Sequence, residues 1–377
     1  MESTSNILSV LFLIDQINPG GSEKQLIWLA ENLPRNKYKP IIAVLNHTQY
    51  QDKLKIKTPI IVFSSKTPPG IRGIIRLLKI KRFISQKNIR IVQTYFPTAC
   101  ILGTLAARLN RNRPFIISTR RNLYHWVNES HIEYWLFRIT APWADIILAN
   151  SWSVAKIINQ FEHINENKIK VIQNGIECDK YLAVTNEVAK SELGITDNYP
   201  IIGMIGNWRH IKGASIFINS CELIKSKYPG AKFILVGSGT QENELKRLAN
   251  TLGIRDNVIF IEGRTDVERL IPAFDVAVQP SLSESFSNVL IEYMAAGRPI
   301  VATRVGDAEY IMEDGVEGVL VSPGNYEELG NAIIELCNKK SESEKMGDLA
   351  KRKVNENWKS EIIMSQYIHF YEHLKLL

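Results

Sequence analysis

The chain has 377 residues, of which 45% are hydrophobic and 23% are charged. This length exceeds the size at which a single hydrophobic core keeps growing, so we expect two domains. Four widely scattered cysteines favour a reduced, intracellular protein over a disulfide scaffold or a zinc site. The first apolar run has only strand length, and no window approaches the ~20 apolar residues of a membrane span, so we expect neither export nor membrane insertion.

The charge is divided unequally between the two halves of the chain. Residues 1–180 carry 25 Lys and Arg against 12 Asp and Glu, a net charge of +13. Residues 181–377 carry 21 against 27, a net charge of −6. We therefore expect only the first half to face an anionic surface such as a membrane leaflet. An accident of solubility would give the same asymmetry.

Short β-rich runs alternate with helical patterns along the whole chain. In the first half the predicted strands are ILSVLFLI, KPIIAVLN, TPIIVFS, IRIVQTYF, RPFIISTR, ADIILANS and IKVIQNG. In the second half they are PIIGMIGN, AKFILVGSG, NVIFIEG, DVAVQPS, PIVATRVG and GVLVSPG. Helical patterns such as SEKQLIWLAENL and IRGIIRLLKIKRFISQ lie between them. This alternation predicts an α/β fold with a Rossmann-like, doubly wound parallel sheet in each half.

A polar stretch interrupts the alternation between Asn174 and Pro200, and we place the domain boundary there. The first domain is predicted to span residues 1–180 and the second residues 195–357. Residues 358–377 carry apolar side chains at helical spacing and are predicted to cross back onto the first domain. Ligands of open parallel sheets bind beyond the carboxyl ends of the strands, so two facing domains would form a cleft.

Three glycine-containing loops follow predicted strands, and their backbone is predicted to approach a phosphate of a bound donor. In DQINPGGSEKQL, Gly20 and Gly21 allow a tight turn and a close ligand approach, and Ser22 is predicted to cap the next helix. The same letters also fit an ordinary strand-to-helix turn. In FILVGSGTQENEL, Gly237 begins a Gly-x-Gly, but Glu242 stands where a dinucleotide fingerprint has its third glycine. We therefore disfavour a dehydrogenase and expect a tight turn that lines the cleft.

The remaining loop, GNWRHIKG, carries two cations close together. Arg209 and Lys212 stand three residues apart, next to Gly206. A guanidinium and an ammonium beyond a strand end suit a diphosphate, at ~1.5–3 kcal/mol for each charge-assisted contact. A solvated basic loop is the alternative interpretation.

The stretch SESFSNVLIEYMAAGRP places two glutamates around the start of a predicted helix. Ser287 is predicted to cap this helix, which ends at Gly297. Free backbone N–H groups are then predicted to form an anion site; they belong to Asn288, Val289 and Leu290. Glu292 lies ~6 Å further along the axis, which suits the ribose of a bound nucleotide. Glu284 precedes the helix and suits a sugar hydroxyl, although it also fits a solvated loop charge, as Glu292 fits a charge that complements the helix dipole.

At this point the chain resembles the retaining nucleotide-sugar glycosyltransferases of family 4, which have the two-domain GT-B architecture. The motifs that carry the resemblance are PGGSEK, IQNGIECDKY, GNWRHIKG, LVGSG, FIEGR, ESFSNVLIEYMAAGRPIVAT and VGDAEYI. The resemblance implies that Arg209 and Lys212 neutralise the donor diphosphate, with backbone amides near Ser287, Asn288 and Val289. It further implies that Glu292 binds the ribose and Glu284 the donor sugar, while the backbone around Arg264 reads the base. It implies no metal and no cofactor, consistent with a chain that lacks Asp-x-Asp.

The sequence departs from this family in the first half. Many relatives carry a histidine after the strand that corresponds to PFIISTRRN. Here Arg120 and Arg121 occupy that neighbourhood, and His125 follows several residues later. We place these three residues on the acceptor side, with Arg121 supporting a phosphate or the acceptor. His125 fits a surface position equally well.

These features together predict a glycosyltransferase that uses a nucleoside-diphosphate sugar, with UDP favoured because relatives use it. The predicted acceptor is lipid-linked or a polysaccharide intermediate, and no nucleic-acid partner is expected. The basic helix at residues 71–86 and the aromatic stretch after it predict peripheral contact with an anionic membrane, so we expect a cytoplasmic protein at its inner face. Packing of that helix on its own sheet is the alternative. A GT-B epimerase or hydrolase and a non-catalytic nucleotide-sugar-binding protein are the rival functions.

Overall fold

The structure is a computed structural model that describes residues 7–64, 69–122, 131–196, 199–264 and 266–374. The chain divides into two compact units. The first comprises Met1–Asn174 and Ile363–Leu377, and the second comprises Gly175–Ile362. The limits of these units lie close to those of the predicted domains. That each domain folds independently stays a prediction.

The first unit is built on a parallel sheet of seven strands. The strands are β1 (Leu8–Ile14), β2 (Tyr38–Val44), β3 (Ile60–Val62), β4 (Ile91–Tyr95), β5 (Phe115–Arg120), β6 (Ile146–Ala149) and β7 (Ile169–Val171). Their order is β3-β2-β1-β4-β5-β6-β7. Ile14 stands opposite Val44 on one side and Tyr95 on the other, so the carboxyl ends of the central strands share one edge.

Helices cover this sheet and account for its continuous burial. They are α1 (Gly21–Asn32), α2 (Gln49–Asp52), α3 (Pro69–Gln86), α4 (Pro97–Arg108), α5 (His131–Thr140) and α6 (Trp152–Glu162), with 3₁₀ helices at Ala141–Trp143 and Glu166–Lys168. Residues 10–14 of β1 are all buried, as expected of a parallel strand covered on both faces.

The second unit is built on a parallel sheet of six strands. The strands are β8 (Ile201–Ile205), β9 (Lys232–Val236), β10 (Val258–Ile261), β11 (Val276–Gln279), β12 (Ile300–Thr303) and β13 (Val319–Val321), in the order β10-β9-β8-β11-β12-β13. The α-helices are α7 (Asn186–Glu192), α8 (Ala214–Lys227), α9 (Glu242–Thr251), α10 (Asn288–Ala295), α11 (Ala308–Ile311), α12 (Tyr326–Asn338), α13 (Lys340–Asn357) and α14 (Ser360–His373). The 3₁₀ helices are Cys178–Leu182, His210–Lys212, Arg255–Asn257, Val267–Arg269 and Ile271–Ala273.

Helix α14 begins in the second unit, and its residues from Ile363 onward belong to the first. In the first unit the buried Tyr371 hydroxyl donates a hydrogen bond to Gln93 Oε1 on β4, at 2.6 Å. Gln93 Nε2 in turn donates to the Tyr95 hydroxyl, also at 2.6 Å. These two hydrogen bonds hold the end of the helix against the sheet, and they give the buried Gln93 Nε2 an acceptor.

The predicted fold class is confirmed, because every run predicted as a strand contains one and both sheets are parallel. The order of strands is that of doubly wound sheets. Successive strands are added first on one side of β1 and then on its other side, and the same holds for β8. In the part of the chain that the structure describes, no helix is both long and apolar enough to cross a membrane.

Candidate functional site

Two loops lie against each other at the carboxyl edge of the second sheet. Strands β8 and β11 are neighbours, so the segments that follow them leave the sheet side by side. The backbone N–H of Leu282 donates to the carbonyl oxygen of Ile211 at 2.8 Å. Gly213 has φ of +70°, and a Cβ there would lie 1.9 Å from the carbonyl oxygen of Pro280. Glycine is therefore required for the two loops to approach this closely.

This approach brings Lys212 and Glu284 together. Lys212 Nζ donates to Glu284 Oε1 at 2.6 Å, and Ser281 Oγ donates to the same oxygen at 2.8 Å. The side chains of Lys212 and Glu284 are 31% and 12% exposed. Since an ammonium has three N–H donors, this contact leaves Lys212 able to donate to a ligand as well. The structure thus unites the cation and the carboxylate that the sequence placed in one site.

Arg209 precedes the 3₁₀ helix of the same loop and is exposed. Among the described residues, its guanidinium has no hydrogen-bond or ion-pair partner. The loop itself is held by Trp208, whose side chain is fully buried and whose backbone N–H donates to the carbonyl oxygen of Ser238 at 2.9 Å. Trp208 was not among the predicted site residues, although a large apolar residue between a glycine and two cations is a signal for such an anchor.

The loops after β8 and β9 are also in close contact. A Cβ at Gly237 would lie 1.9 Å from the carbonyl oxygen of Gly206. The backbone N–H of Gly206 donates to the carbonyl oxygen of Val236 at 3.0 Å. The two glycines predicted as donor-binding residues are therefore neighbours, and their backbone lies at the edge of the sheet that carries Lys212.

The N-terminus of α10 lies directly after this group. Ser287 is the N-cap, as predicted, and its Oγ accepts a hydrogen bond from the N–H of Leu290 at 3.3 Å. The prediction that the Leu290 N–H is free for an anion is therefore wrong, because the cap already uses it. Asn288 and Val289 are half-buried in the first turn.

Glu292 lies one turn further along α10. Burial raises the pKa of the Tyr181 phenol, and the nearby charge of Glu292 raises it further. Tyr181 belongs to the motif IQNGIECDKY but was not a predicted site residue. Arg264 lies after β10, where its guanidinium pairs with Asp266 at 2.7 and 2.9 Å and with Glu192 at 3.3 Å. Its side chain is thus neutralised by two carboxylates, and only its backbone fits the predicted contact with a base.

The Glu284 carboxylate of this group accepts hydrogen bonds from Lys212 Nζ and Ser281 Oγ. Within the ranges that the structure describes, no three His, Cys, Asp or Glu side chains are placed to hold a metal ion. The expectation that no metal or cofactor takes part stays a prediction.

In the first unit the Gly20–Gly21 turn faces a carboxylate of the chain itself. Gly20 is the N-cap of α1 without a side-chain cap, so the predicted capping role of Ser22 is wrong. Burial raises the pKa of the Glu23 carboxyl, and the nearby backbone N–H groups of Glu23 and Asn18 lower it. A Cβ at Gly20 would lie 2.4 Å from Glu23 Oε2. Glu23 therefore lies at the amide groups where a phosphate was expected.

Arg121 lies close to this carboxylate. It donates a hydrogen bond to Asn174 Oδ1, and its guanidinium is 6.0 Å from the centre of the Tyr95 ring. Burial raises the pKa of Glu23, and the charge of Arg121 opposes that shift. The structure thus brings Arg121 and the Gly20–Gly21 turn into one group, through Glu23.

Arg120 does not belong to that group. Its Nε and Nη2 donate to the two carboxylate oxygens of Glu162, both at 2.7 Å, and its guanidinium lies 3.9 Å from the Phe137 ring centre. The side chains of Arg120 and Glu162 are 4% and 0% exposed. The prediction that Arg120 lies on the acceptor side is therefore wrong, because a buried cation must keep its carboxylate partner and an acceptor cannot reach it. His125 lies outside the described residues.

A second carboxylate pair lies at the carboxyl edge of the first sheet and was missed by the sequence analysis. Asp15 follows β1, and its Oδ1 accepts the N–H of Ala99 in the first turn of α4 at 2.6 Å. Thr98 Oγ1 donates to Glu133 Oε1 at 2.6 Å. Burial raises the pKa of Asp15 to about 7, with a smaller contribution from the charge of Glu133. An acidic residue directly after a buried strand is the signal that would have found it.

Solved structures with the same architecture cover nearly the whole chain. HepE from Anabaena, solved in complex with UDP, aligns with a TM-score of 0.86 at 23% identity, over 98% of this chain and 100% of that one. The same protein in complex with UDP-glucose aligns with a TM-score of 0.85 at 24% identity, over 98% and 100%. With the two parallel sheets, these similarities define a protein of the GT-B fold.

Family models match both halves of the chain in sequence order. The model "Glycosyltransferase Family 4" matches residues 19–180, and "Glycosyl transferases group 1" matches residues 185–353. The chain belongs to the family 4 glycosyltransferases. N-acetyl-alpha-D-glucosaminyl L-malate synthase of Bacillus anthracis is 31% identical over 63% of this chain and 61% of its own length. D-inositol 3-phosphate glycosyltransferase of Mycobacterium marinum is 30% identical over 50% and 41%. The matches thus span about half of the length of these relatives.

Proposed function

We propose that the chain is a retaining glycosyltransferase that moves a sugar from a nucleoside-diphosphate donor to a hydroxyl group. The observation that carries the proposal is the contact of Lys212 with Glu284 directly before the N-terminus of α10. A cation for a phosphate, a carboxylate for sugar hydroxyls and helix amides for a second phosphate are then neighbours.

The proposed reaction breaks the bond between the anomeric carbon and the donor phosphate oxygen. Negative charge builds on the departing diphosphate, and Lys212, Arg209 and the first amides of α10 stabilise it. The acceptor oxygen forms the new bond on the same face of the sugar, and its proton passes to the departing phosphate. Glu284 binds hydroxyls of the transferred sugar. This scheme needs no metal, because fixed cations and amides supply the positive charge.

The nucleoside is proposed to bind further along α10. Glu292 accepts hydrogen bonds from the ribose hydroxyls, and the backbone around Arg264 contacts the base. UDP is the proposed nucleotide, supported by the HepE structures, which are complexes with UDP and with UDP-glucose. Gly206 and Gly237 let the backbone approach this ligand. The role of Gly20 and Gly21 in donor binding stays a prediction.

The proposed acceptor is a lipid-linked or polysaccharide intermediate. The names of the curated relatives favour a second candidate, because malate and inositol 3-phosphate are small anionic acceptors. Arg121 suits such an anion, since its guanidinium lies at the carboxyl edge of the first sheet. Turnover with malate and inositol phosphate, compared with a lipid-linked acceptor, separates the two.

Peripheral contact with an anionic membrane is proposed for the face that carries α3 and α5. Both helices pack against α4, and both expose large apolar side chains. These are Ile71, Ile74 and Leu78 on α3 and Ile132, Trp135 and Ile139 on α5, exposed by 55% or more. Arg72 and Lys79 on α3 supply positive charge beside them. Flotation with anionic vesicles at low salt tests this; the double change Ile74→Asp and Leu78→Asp is expected to abolish it, and wild-type protein that fails to float overturns it.

The activity is tested with the purified full chain and UDP-, GDP- and ADP-sugars. Transfer to an acceptor supports the proposal, whereas release of free sugar supports a hydrolase and nucleotide binding without turnover supports a non-catalytic protein. The anomeric configuration of the product, read from its proton coupling constants, tests retention. An inverted product overturns the proposed same-face attack.

A further inference from the structure

A cavity of about 690 Å³ lies at the amino edge of the first sheet. The first residues of β1 and β5 line it, and so does the end of α14. Arg121 and the Gly20–Gly21 turn lie at the opposite edge of this sheet. The seven residues of β1 place the two edges about 20 Å apart. The cavity is therefore separate from the candidate residues at the carboxyl edge.

Positive charge dominates this cavity. Four cations and one carboxylate line it, a net charge of +3. Both oxygens of the carboxylate, Asp145, already accept hydrogen bonds. Oδ1 accepts from Arg108 Nη2 at 2.5 Å, and Oδ2 accepts from the N–H of Ile116 at 2.8 Å. Asp145 thus neutralises one of the four cations, and in the described part of the chain the other three have no carboxylate partner.

Arg108 and Lys168 are fixed in place by one turn of the chain. Arg108 Nε donates to the carbonyl oxygen of Trp143 at 2.6 Å. Lys168 Nζ donates to the carbonyl oxygens of Pro142 and Ala144, at 3.0 and 3.1 Å. These acceptors belong to the 3₁₀ helix that follows α5 and to the residue after it. Two cations are therefore held in a defined position before a ligand binds, which lowers the entropic cost of binding.

Arg90 and Arg113 supply the remaining positive charge. Both are exposed, and within the ranges that the structure describes neither guanidinium has a hydrogen-bond or ion-pair partner. Arg113 has φ of +39°, in the left-handed region where glycine or asparagine is less strained. It also precedes Pro114, which restricts its backbone further. The local fold would thus favour another residue at position 113, whereas a guanidinium there suits an anion in the cavity.

We propose that this cavity binds a phosphate ester with at least two negative charges, at a site that shares no residue with the proposed donor site. Each of the two unpaired guanidiniums can donate two N–H groups to phosphate oxygens, and the Lys168 ammonium keeps a third N–H donor. The volume of the cavity is in the range of small-molecule sites. Leu8, Phe115 and Leu374 supply an apolar wall for the rest of the ester. A soluble phosphorylated metabolite and a lipid phosphate headgroup share this chemistry.

The test is calorimetry on the full chain, with inorganic diphosphate as the probe and saturating UDP in the proposed donor site. Arg90→Ser combined with Arg113→Asn is expected to weaken diphosphate binding by at least about 10-fold, because two charge-assisted contacts are lost. Asparagine tolerates the left-handed conformation, so Arg113→Asn alone should raise Tm while it weakens binding. A purely structural role of Arg113 predicts a lower Tm instead.

Lys156→Ser combined with Arg111→Ser is the matched control. Both side chains are exposed in the same unit, and neither lines the cavity, so this variant removes the same charge and should bind diphosphate as the wild type does. Vesicles that contain phosphatidic acid distinguish the two sources of the phosphate. Vesicle binding that only the Arg90 and Arg113 changes abolish indicates a lipid headgroup, and vesicle binding that they leave unchanged indicates a soluble ester.

The proposal is overturned if the wild type binds no diphosphate, if the Arg90 and Arg113 changes leave its affinity unchanged, or if the control weakens it equally. Wild-type protein that binds no UDP would instead contradict the proposed function. It would leave this test intact, because the comparison between the two double variants does not depend on UDP.

Discussion

Replacement of Lys212 by alanine tests the central contact of the site. The variant loses the 2.6 Å hydrogen bond to Glu284 and the proposed contact with the departing phosphate. A charge-assisted contact contributes about 1.5–3 kcal/mol, and each 1.36 kcal/mol is a factor of ten in rate, so kcat/KM should fall by about 10- to 150-fold. Folding should change little, because Glu284 keeps the hydrogen bond from Ser281 Oγ when the Lys212 ammonium is removed. Initial rates at varied donor concentration, with thermal unfolding of the same preparations, measure both effects.

Lys246 offers a matched control in the same unit. Its Nζ lies 2.6 Å from Glu242 Oε1, the same separation as in the Lys212 pair, and its side chain is 34% exposed. Lys246→Ala removes an equivalent ion pair on α9 and should leave kcat/KM within about 2-fold of the wild type. If both alanine variants lose activity equally, or if Lys212→Ala retains full turnover, the assignment of Lys212 to the diphosphate is incorrect.

Two further changes test the first sheet and the approach of the two loops. The folded Asp15 carboxyl keeps its proton up to about pH 7, while the unfolded chain releases it near its ordinary pKa of 3.8, so stability should fall as pH rises from about 4 to 7 and then level off. Asp15→Asn should remove up to about 4 kcal/mol of that decline, measured by thermal unfolding against pH, and an unchanged decline would contradict this. Gly213→Ala should abolish turnover and destabilise by more than Gly253→Ala, because Gly253 has a similar φ of +64° but open space around it. Equal denaturant midpoints for the two alanine variants would contradict the contact with Pro280.

The architecture could be predicted from the sequence, because a strand that is buried on both faces consists of consecutive apolar residues. Buried parallel strands read as continuous apolar runs, and β1 is buried without interruption from Val10 to Ile14. The Ser287 cap could also be predicted, since a serine directly before an apolar helical pattern is a typical N-cap. These are local signals, and their physical causes lie within a few residues of each other.

Contacts between segments that are distant in sequence could not be predicted in this way. Tyr181 and Glu292 are more than a hundred positions apart, and nothing in either motif requires them to lie close together. Arg120 is an example of the opposite error, because it was predicted as a site residue but lies in the interior. Its position at the end of a strand suggested a ligand, but the strand places it opposite Glu162 in the interior, where the pair satisfies both charges.

The N-termini of α1 and α10 show why one sequence signal has two outcomes. Both α1 and α10 begin after a glycine- or serine-containing turn at the end of a strand, so both were expected to bind phosphate. In α10 the cap is the neutral hydroxyl of Ser287, which uses one amide and adds no charge. In α1 the third helical residue is Glu23, and its carboxylate returns to the amides and supplies the negative charge that the helix terminus favours. A phosphate at α1 would meet this buried carboxylate, so α10 is the better anion site. Glu23→Gln should therefore leave the Kd for UDP unchanged, whereas a marked rise in affinity would show that the Gly20–Gly21 turn competes for the diphosphate.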